Sequence, residues 1–238
     1  MGKYIIHGGK TLSGVINVSG AKNATLPILA CTLIAEGEYT LHNVPALKDV
    51  DTMVKLLEHF GLEVLKIADN SYKIINRGLK TLEAPYELVS IMRASFVVMG
   101  PLLANKGEAR VSMPGGCAIG NRPIDIHLKG FEQLGAEIQT EHGFVSAKSE
   151  RLIGKEIYLD FPTVTGTENL LMAAVKSQGT TILNNAARDP EVEDLGNMLN
   201  KMGAKISGLG TRTILIEGVE KLTPCFYTFF HDRFEPGP

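Results

Sequence analysis

Five short stretches of the chain carry side chains that could do chemistry. Cys117 sits in Met113-Pro114-Gly115-Gly116-Cys117-Ala118-Ile119-Gly120-Asn121-Arg122-Pro123, among glycines and with no apolar helix to bury it. Arg122 close by, and a helix starting near Pro123, favour its thiolate, so it could serve as a nucleophile or a general acid. A small loop residue without a role is the plainer alternative. Lys22-Asn23 open an apolar segment directly after Ser19-Gly20-Ala21. A lysine at a helix start opposes the helix dipole, and an anion between Lys22 and nearby amides would relieve that conflict; a snorkelling surface lysine would explain it as well. Arg93 interrupts Leu88-Val89-Ser90-Ile91-Met92 and Ala94-Ser95-Phe96-Val97-Val98. A charge inside such a run must be paired, either structurally, for example with Glu87, or with a ligand phosphate. Arg122-Pro123-Ile124-Asp125 has good helix-start chemistry, so Asp125 could be only a cap. Thr163-Val164-Thr165-Gly166-Thr167 offers hydroxyls and free amides suited to a phosphate, although N-capping by Thr165 or Thr167 would account for it equally.

Other motifs fail. Gly9-Lys10-Thr11 is a fragment of a P-loop whose earlier glycine is replaced by Tyr4. No GxGxxG or HExxH occurs, and the six histidines have no metal-ligand spacing. The three cysteines form no CxxC pair; Cys31, within Ile28-Leu29-Ala30-Cys31-Thr32-Leu33, reads as a core residue, and Cys225 has no assigned role.

The elements that must position these residues are repeated. His59-Phe60-Gly61-Leu62-Glu63-Val64, Gln133-Leu134-Gly135-Ala136-Glu137-Ile138 and Lys201-Met202-Gly203-Ala204-Lys205-Ile206 each end an amphipathic helix with a glycine and start a strand. Upstream, Gly37, Gly107 and Gly179 each stop an earlier helix before another strand, and a third strand follows at 72–75, 144–147 and 213–216. The unit is helix–strand–helix–strand–strand, three times. One such unit leaves an apolar face uncovered, so three should share a core. The first helices, over 24–35 and 170–175, are apolar nearly all round, which predicts α/β architecture with buried helices and sheets outside. Gly37 to Gly61 spans 24 positions and Gly179 to Gly203 spans 24, but Gly107 to Gly135 spans 28. The extra residues fall in the Cys117 loop, and scaffolds carry function where a loop departs from the repeat.

Composition bounds the rest. The chain has 238 residues, a net charge of −2, 44% hydrophobic and 21% charged residues. That is an ordinary globule of one large or two small domains, and it excludes a generally basic nucleic-acid binder. The longest uncharged run, Asn23 to Ala35, is 13 residues, too short to cross a membrane. The N-terminus has no apolar signal region, and cytoplasmic localisation is expected.

SGAKNA (19–24), LPILA (26–30), NVPALKDVDTM (43–53), MRAS (92–95), PGGCAIGNRPIDIHLKG (114–130), LGAEI (134–138), TVTGTENLLMAA (163–174), NAARDPEVEDL (185–195) and IEGVEKL (216–222) closely resemble the bacterial UDP-N-acetylglucosamine 1-carboxyvinyltransferases. The resemblance implies an inside-out α/β barrel of three units, with an active site between this domain and a second one. It implies transfer of the enolpyruvyl group of phosphoenolpyruvate to the 3′-hydroxyl of UDP-N-acetylglucosamine with release of phosphate, the first committed step of peptidoglycan synthesis. The route is addition then elimination, with no metal and no organic cofactor. By position, Cys117 would be the general acid toward the enolpyruvyl methylene and the residue that fosfomycin alkylates. Lys22, Asn23 and Arg122 would hold phosphoenolpyruvate, and Arg93 belongs to the substrate site. Arg122, Pro123, Ile124, Asp125 and Ile126, with Thr163 and Val164, would grip the UDP part. A thiol of pKa about 8.5 keeps its proton at pH 7 and can donate it.

Family members are nearly twice as long, and their second domain carries the aspartate that takes the sugar hydroxyl's proton. The resemblance therefore implies a truncated N-terminal part, with the missing C-terminal domain as its natural partner surface. Residues 1–20, with strands Tyr4-Ile5-Ile6 and Val15-Ile16-Asn17-Val18, would pair with that domain. Residues 21–222 would form the three repeats, about 21–78, 86–150 and 157–222. Residues 223–238 would be the divergent start of the second domain, since Asp232-Arg233-Phe234-Glu235-Pro236-Gly237 is similar to the family's DRIE-x-G. The other reading is a catalytically inactive lobe that binds a UDP-sugar or a partner protein.

Overall fold

The structure, a computed structural model, describes residues 13–114 and 124–233, together with positions 3, 5, 7–9 and 11. The first repeat runs α1 (Lys22–Cys31), β1 (Gly37–His42), α2 (Lys48–His59), β2 (Glu63–Ala68) and β3 (Ser71–Asn76). The second runs β4 (Glu83–Ala84), α3 (Tyr86–Val89), a 3-10 helix (Arg93–Val98), α4 (Met99–Lys106), β5 (Glu108–Ser112), α5 (Asp125–Gln133), β6 (Glu137–Glu141) and β7 (Phe144–Lys148). The third runs β8 (Glu156–Tyr158), α6 (Val164–Ala174), β9 (Thr180–Asn184), α7 (Pro190–Lys201), β10 (Lys205–Ser207) and β11 (Thr213–Glu217); β12 (Phe226–Thr228) follows.

The three sheets have one topology. Their orders are β12-β1-β3-β2, β4-β5-β7-β6 and β8-β9-β11-β10. In each, the outer strand is parallel to its neighbour and every other pair is antiparallel. The unit thus has a fourth strand that the periodicity did not reveal, because β4, β8 and β12 have only two or three residues each. Repeats two and three take this strand from the segment just upstream. The first repeat takes it from the far end of the chain, with Thr40 opposite Phe226 and His42 opposite Thr228. Part of the segment that sequence set apart from the repeats is therefore hydrogen-bonded into the first sheet. The strand expected over 15–18 does not form: Val15 and Ile16 are 93% and 81% exposed and have no strand partner. Of the expected strand over 4–6, Tyr4 and Ile6 lie outside the described residues.

The helices pack inside the sheets. Eight residues of α1, six of α4 and nine of α6 are buried, and α6 packs against α4, α5 and α7 while α1 packs against α2 and α7. The three amphipathic helices end identically. Leu62, Ala136 and Ala204 donate their N–H to the carbonyls of Leu57, Phe131 and Leu199, and Gly61, Gly135 and Gly203 donate to Glu58, Glu132 and Asn200. These are Schellman closures, which need a left-handed residue, and the three glycines have φ of 101°, 93° and 104°.

Gly100 brings the backbone of α4 against that of α6. Its N–H donates to Asn169 Oδ1 at 2.7 Å, and a Cβ there would overlap the Asn169 carbonyl oxygen. Gly100→Ala is expected to destabilise the chain by about 3 kcal/mol in urea unfolding. A change below about 0.5 kcal/mol, the ordinary range of neutral surface substitutions, would show that α4 and α6 can separate freely.

Candidate functional site

The first turns of the helices meet at two adjoining cavities, of about 300 Å³ and about 260 Å³. The first is lined by Lys22 and Asn23 from α1, Asp49 from α2, Arg93 and Phe96 from the 3-10 helix, Ile124 and His127 from the start of α5, and Thr165 from α6. The second shares Asn23, Leu26, Ala94, Val97 and Thr165, and adds Pro27, Val164 and Glu168, with Asp189 and Glu191 at the start of α7 and Arg233. Helix N-termini present unpaired N–H groups and positive dipole ends, so their convergence favours a negatively charged ligand.

Lys22 meets its anion inside the chain: Nζ lies 2.8 Å from Asp49 Oδ2, and the Lys22 N–H donates to Asp232 Oδ2 at 3.4 Å. Both side chains of the Lys22–Asp49 pair are about two-fifths exposed. Such a pair contributes about 0–1 kcal/mol, so a multiply charged ligand can take Asp49's place. Arg93 faces the same cavity from the 3-10 helix.

His127 is 3% exposed, and its tautomer follows from its neighbours. The Gly100 N–H can only donate, so the Asn169 atom that receives it is Oδ1. Asn169 Nδ2 then donates to the Phe96 carbonyl at 3.1 Å and to His127 Nδ1 at 3.0 Å. His127 therefore carries its proton on Nε2. Burial, and then the neighbouring Arg93 charge, lower its pKa to about 4. The ring is a neutral donor beside a cation at neutral pH.

The remaining expected residues separate. Ile124 lines the first cavity and Val164 the second. Asp125 is exposed at the start of α5 and caps nothing through its side chain, and Ile126 is buried in the core. Capping of α6 falls to Thr163, whose Oγ1 accepts from the Gly166 N–H at 3.4 Å, whereas Thr165 faces both cavities and Thr167 Oγ1 accepts from the Ala187 N–H. Cys117, Arg122 and Pro123 lie outside the described residues. Sequence reasoning missed Asp49, His127 and Glu168. Glu168 follows Thr167 and precedes Asn169 and the apolar run Leu170 to Val175, so its burial is not signalled by the rule that singled out Arg93.

The lowered pKa of His127 makes stability depend on pH. Between about pH 6.5 and about pH 4 the unfolded chain binds a proton that the folded chain does not, so stability falls as pH falls through that window. His127→Gln keeps an acceptor for Asn169 without a titrating ring. It is expected to remove on the order of 3 kcal/mol of this pH dependence, read from urea unfolding at pH 7 and pH 4. An identical pH profile for both chains would show that His127 is not held neutral.

Residues 6–237 match the profile of the family described as EPSP synthase (3-phosphoshikimate 1-carboxyvinyltransferase). The chain is 52% identical over 235 residues to UDP-N-acetylglucosamine 1-carboxyvinyltransferase 1 of Caldanaerobacter subterraneus subsp. tengcongensis, covering 99% of this chain and 56% of that protein. It is 54% identical over 237 residues to the UDP-N-acetylglucosamine 1-carboxyvinyltransferase of Desulfatibacillum aliphaticivorans, covering 100% and 57%. The chain thus spans a little over half the length of these curated relatives. Among solved structures, the enolpyruvyl transferase NikO from Streptomyces tendae superposes with a TM-score of 0.82 at 23% identity, over 97% of this chain and 55% of that one. EPSP synthase from Acinetobacter baumannii superposes with a TM-score of 0.73 at 22% identity, over 93% and 51%. Both share the fold of three sheets around buried helices. With its profile matched over nearly the whole chain, the protein belongs to the EPSP synthase (3-phosphoshikimate 1-carboxyvinyltransferase) family.

Proposed function

We propose that the chain serves the transfer of the enolpyruvyl group of phosphoenolpyruvate to the 3′-hydroxyl of UDP-N-acetylglucosamine, the first committed step of peptidoglycan synthesis, in the cytoplasm. One observation carries the reading. Lys22, Asn23, Arg93 and Ile124 come from three separate segments and line one cavity, in a chain more than half identical to relatives named for that activity.

The chemistry needs a pocket for two anions and a proton donor. Lys22 exchanges Asp49 for a phosphate or carboxylate oxygen, and Asn23 and Arg122 hold the rest of phosphoenolpyruvate. Arg93, with residues 122–126, Thr163 and Val164, holds the UDP part; arginine forks suit its phosphates. Cys117 gives its proton to the methylene carbon as the sugar oxygen bonds to the adjacent carbon. Loss of phosphate and of a methyl proton then restores the double bond. The sugar hydroxyl's proton passes to a base which, in the family, the second domain provides.

The thiols distinguish the reading experimentally. Cys31 is fully buried and burial holds its pKa well above the usual thiol value; Cys225 is raised by burial as well. Incubation with fosfomycin is expected to add one equivalent at Cys117, seen by mass spectrometry. Cys117→Ser should take up none and Cys31→Ser should behave as the parent; equal labelling of both variants removes Cys117 from its role. UDP-N-acetylglucosamine should bind saturably in calorimetry, about tenfold or more weaker in Arg93→Ala, the loss of one charged hydrogen bond. Unchanged affinity in that variant would move the UDP site elsewhere.

A further inference from the structure

The repeat departs from itself at a place that the proposed transfer does not use. Three residues before the glycine that stops the first helix, repeats one and two carry Ile34 and Ala104, and repeat three carries Lys176. Ile34 and Ala104 are buried. Lys176 stands half-buried where the other two copies bury an apolar side chain. It lies just past the end of α6, whose eleven residues set it about 16 Å from the first turns and the two cavities there.

Two further cavities, of about 240 Å³ and about 480 Å³, meet at this lysine, and Arg151 lines both. Lys106, at the end of α4, lines the smaller one. Burial, and then the neighbouring Lys106 charge, lower the Lys176 pKa. The carbonyl ends of α4 and α6 suit one cation each, but not two ammonium groups set against each other. The acids nearby do not resolve that conflict. Lys106 Nζ reaches Glu36 Oε1 only at 3.9 Å. Glu150 lines the smaller cavity and Glu220 the larger, yet among the described residues neither Lys176 nor Arg151 has a side-chain hydrogen bond or ion pair. The backbone holds the cluster in place. The Ser149 N–H donates to the Gly107 carbonyl and the Gln178 N–H donates to the Leu152 carbonyl, so the Arg151 segment is tied on both sides. The Val219 N–H donates to the Val175 carbonyl, and a Cβ on Gly218 would overlap the Ser177 carbonyl oxygen, which fixes the turn carrying Lys176.

We propose that Lys106, Arg151 and Lys176 hold a phosphate dianion, free or as the ester of a small molecule, the larger cavity taking the rest of an ester. A dianion supplies the charge that the three cations lack, and its oxygens accept from ammonium and guanidinium donors. The two cavities have the size of a small-molecule site.

The test is amide NMR of the whole chain titrated with sodium phosphate at pH 7 and constant ionic strength. Saturable shifts are expected at the Lys106, Gly107, Arg151 and Lys176 amides, with a Kd of about 1 mM or below. Phosphate in the cavities at the first turns shifts Asn23 and Thr165 instead, so this proposal and the transfer reading fail at different residues. Lys176→Ile, which installs the side chain of the first repeat, and Arg151→Gln, at an exposed position, should each weaken binding at least tenfold, the loss of one charged hydrogen bond. Neither should change any shift at Asn23 or Thr165. Glycerol 3-phosphate in a parallel titration separates the sources: tighter binding than phosphate assigns an ester, weaker binding assigns free phosphate, and both uphold the site. Absence of saturation at those four amides by about 10 mM, or unchanged binding in either variant, overturns it. If Lys176→Ile does not fold, Arg151→Gln decides alone.

Discussion

A helix with apolar residues on every side is stable in water only when every side is covered. Helix α6, with nine buried residues of eleven, sets that demand most strongly, and α1 shares it. One repeat cannot meet it, since each brings a single sheet with one face to spare. Three repeats can, because each supplies an amphipathic helix and a sheet to the others' flanks. The position of the sheets, the packing of α2, α5 and α7 against the central helices, and the close contact at Gly100 all follow from covering those helices.

The same arrangement separates the two ends of the helices. At one end the amphipathic helices close with a glycine turn, so their last carbonyls are satisfied within the backbone and nothing else is needed there. At the other end the first turns are left for side chains and ligands. Chemistry gathers at that end because the backbone N–H groups there have no helical partner. Within it, Lys22 and Arg93 bring cations to one cavity, while Asp189 and Glu191, bridged by Arg233, bring acids to its neighbour.

The repeat was legible because the glycine after each amphipathic helix is required by backbone geometry and cannot be replaced cheaply. The buried helices were legible from composition alone, since 24–35 and 170–175 leave no polar stripe. The fourth strand of each sheet was not, because two or three residues carry no periodicity. In the site, Lys22 and Arg93 stand out through local conflicts between charge and surroundings, whereas Asn23 and Ile124 follow only from the family resemblance. His127 does not stand out, since its role depends on Asn169 and Phe96, far apart in sequence and joined only by packing. Asp49 reads as an ordinary first-turn acid until Lys22 is placed opposite it.

The pairing of β1 with β12 joins residues 40–42 to residues 226–228. During synthesis the first sheet emerges early, yet one edge of it stays open while almost the whole domain is made. The second and third sheets receive their outer strands from segments translated just before them, so they can finish as they appear. Assembly is thus out of register with translation: the part made first is completed last. Until then the nascent chain shows an unpaired strand edge beside β1, a place where a chaperone or a second nascent chain could pair with it.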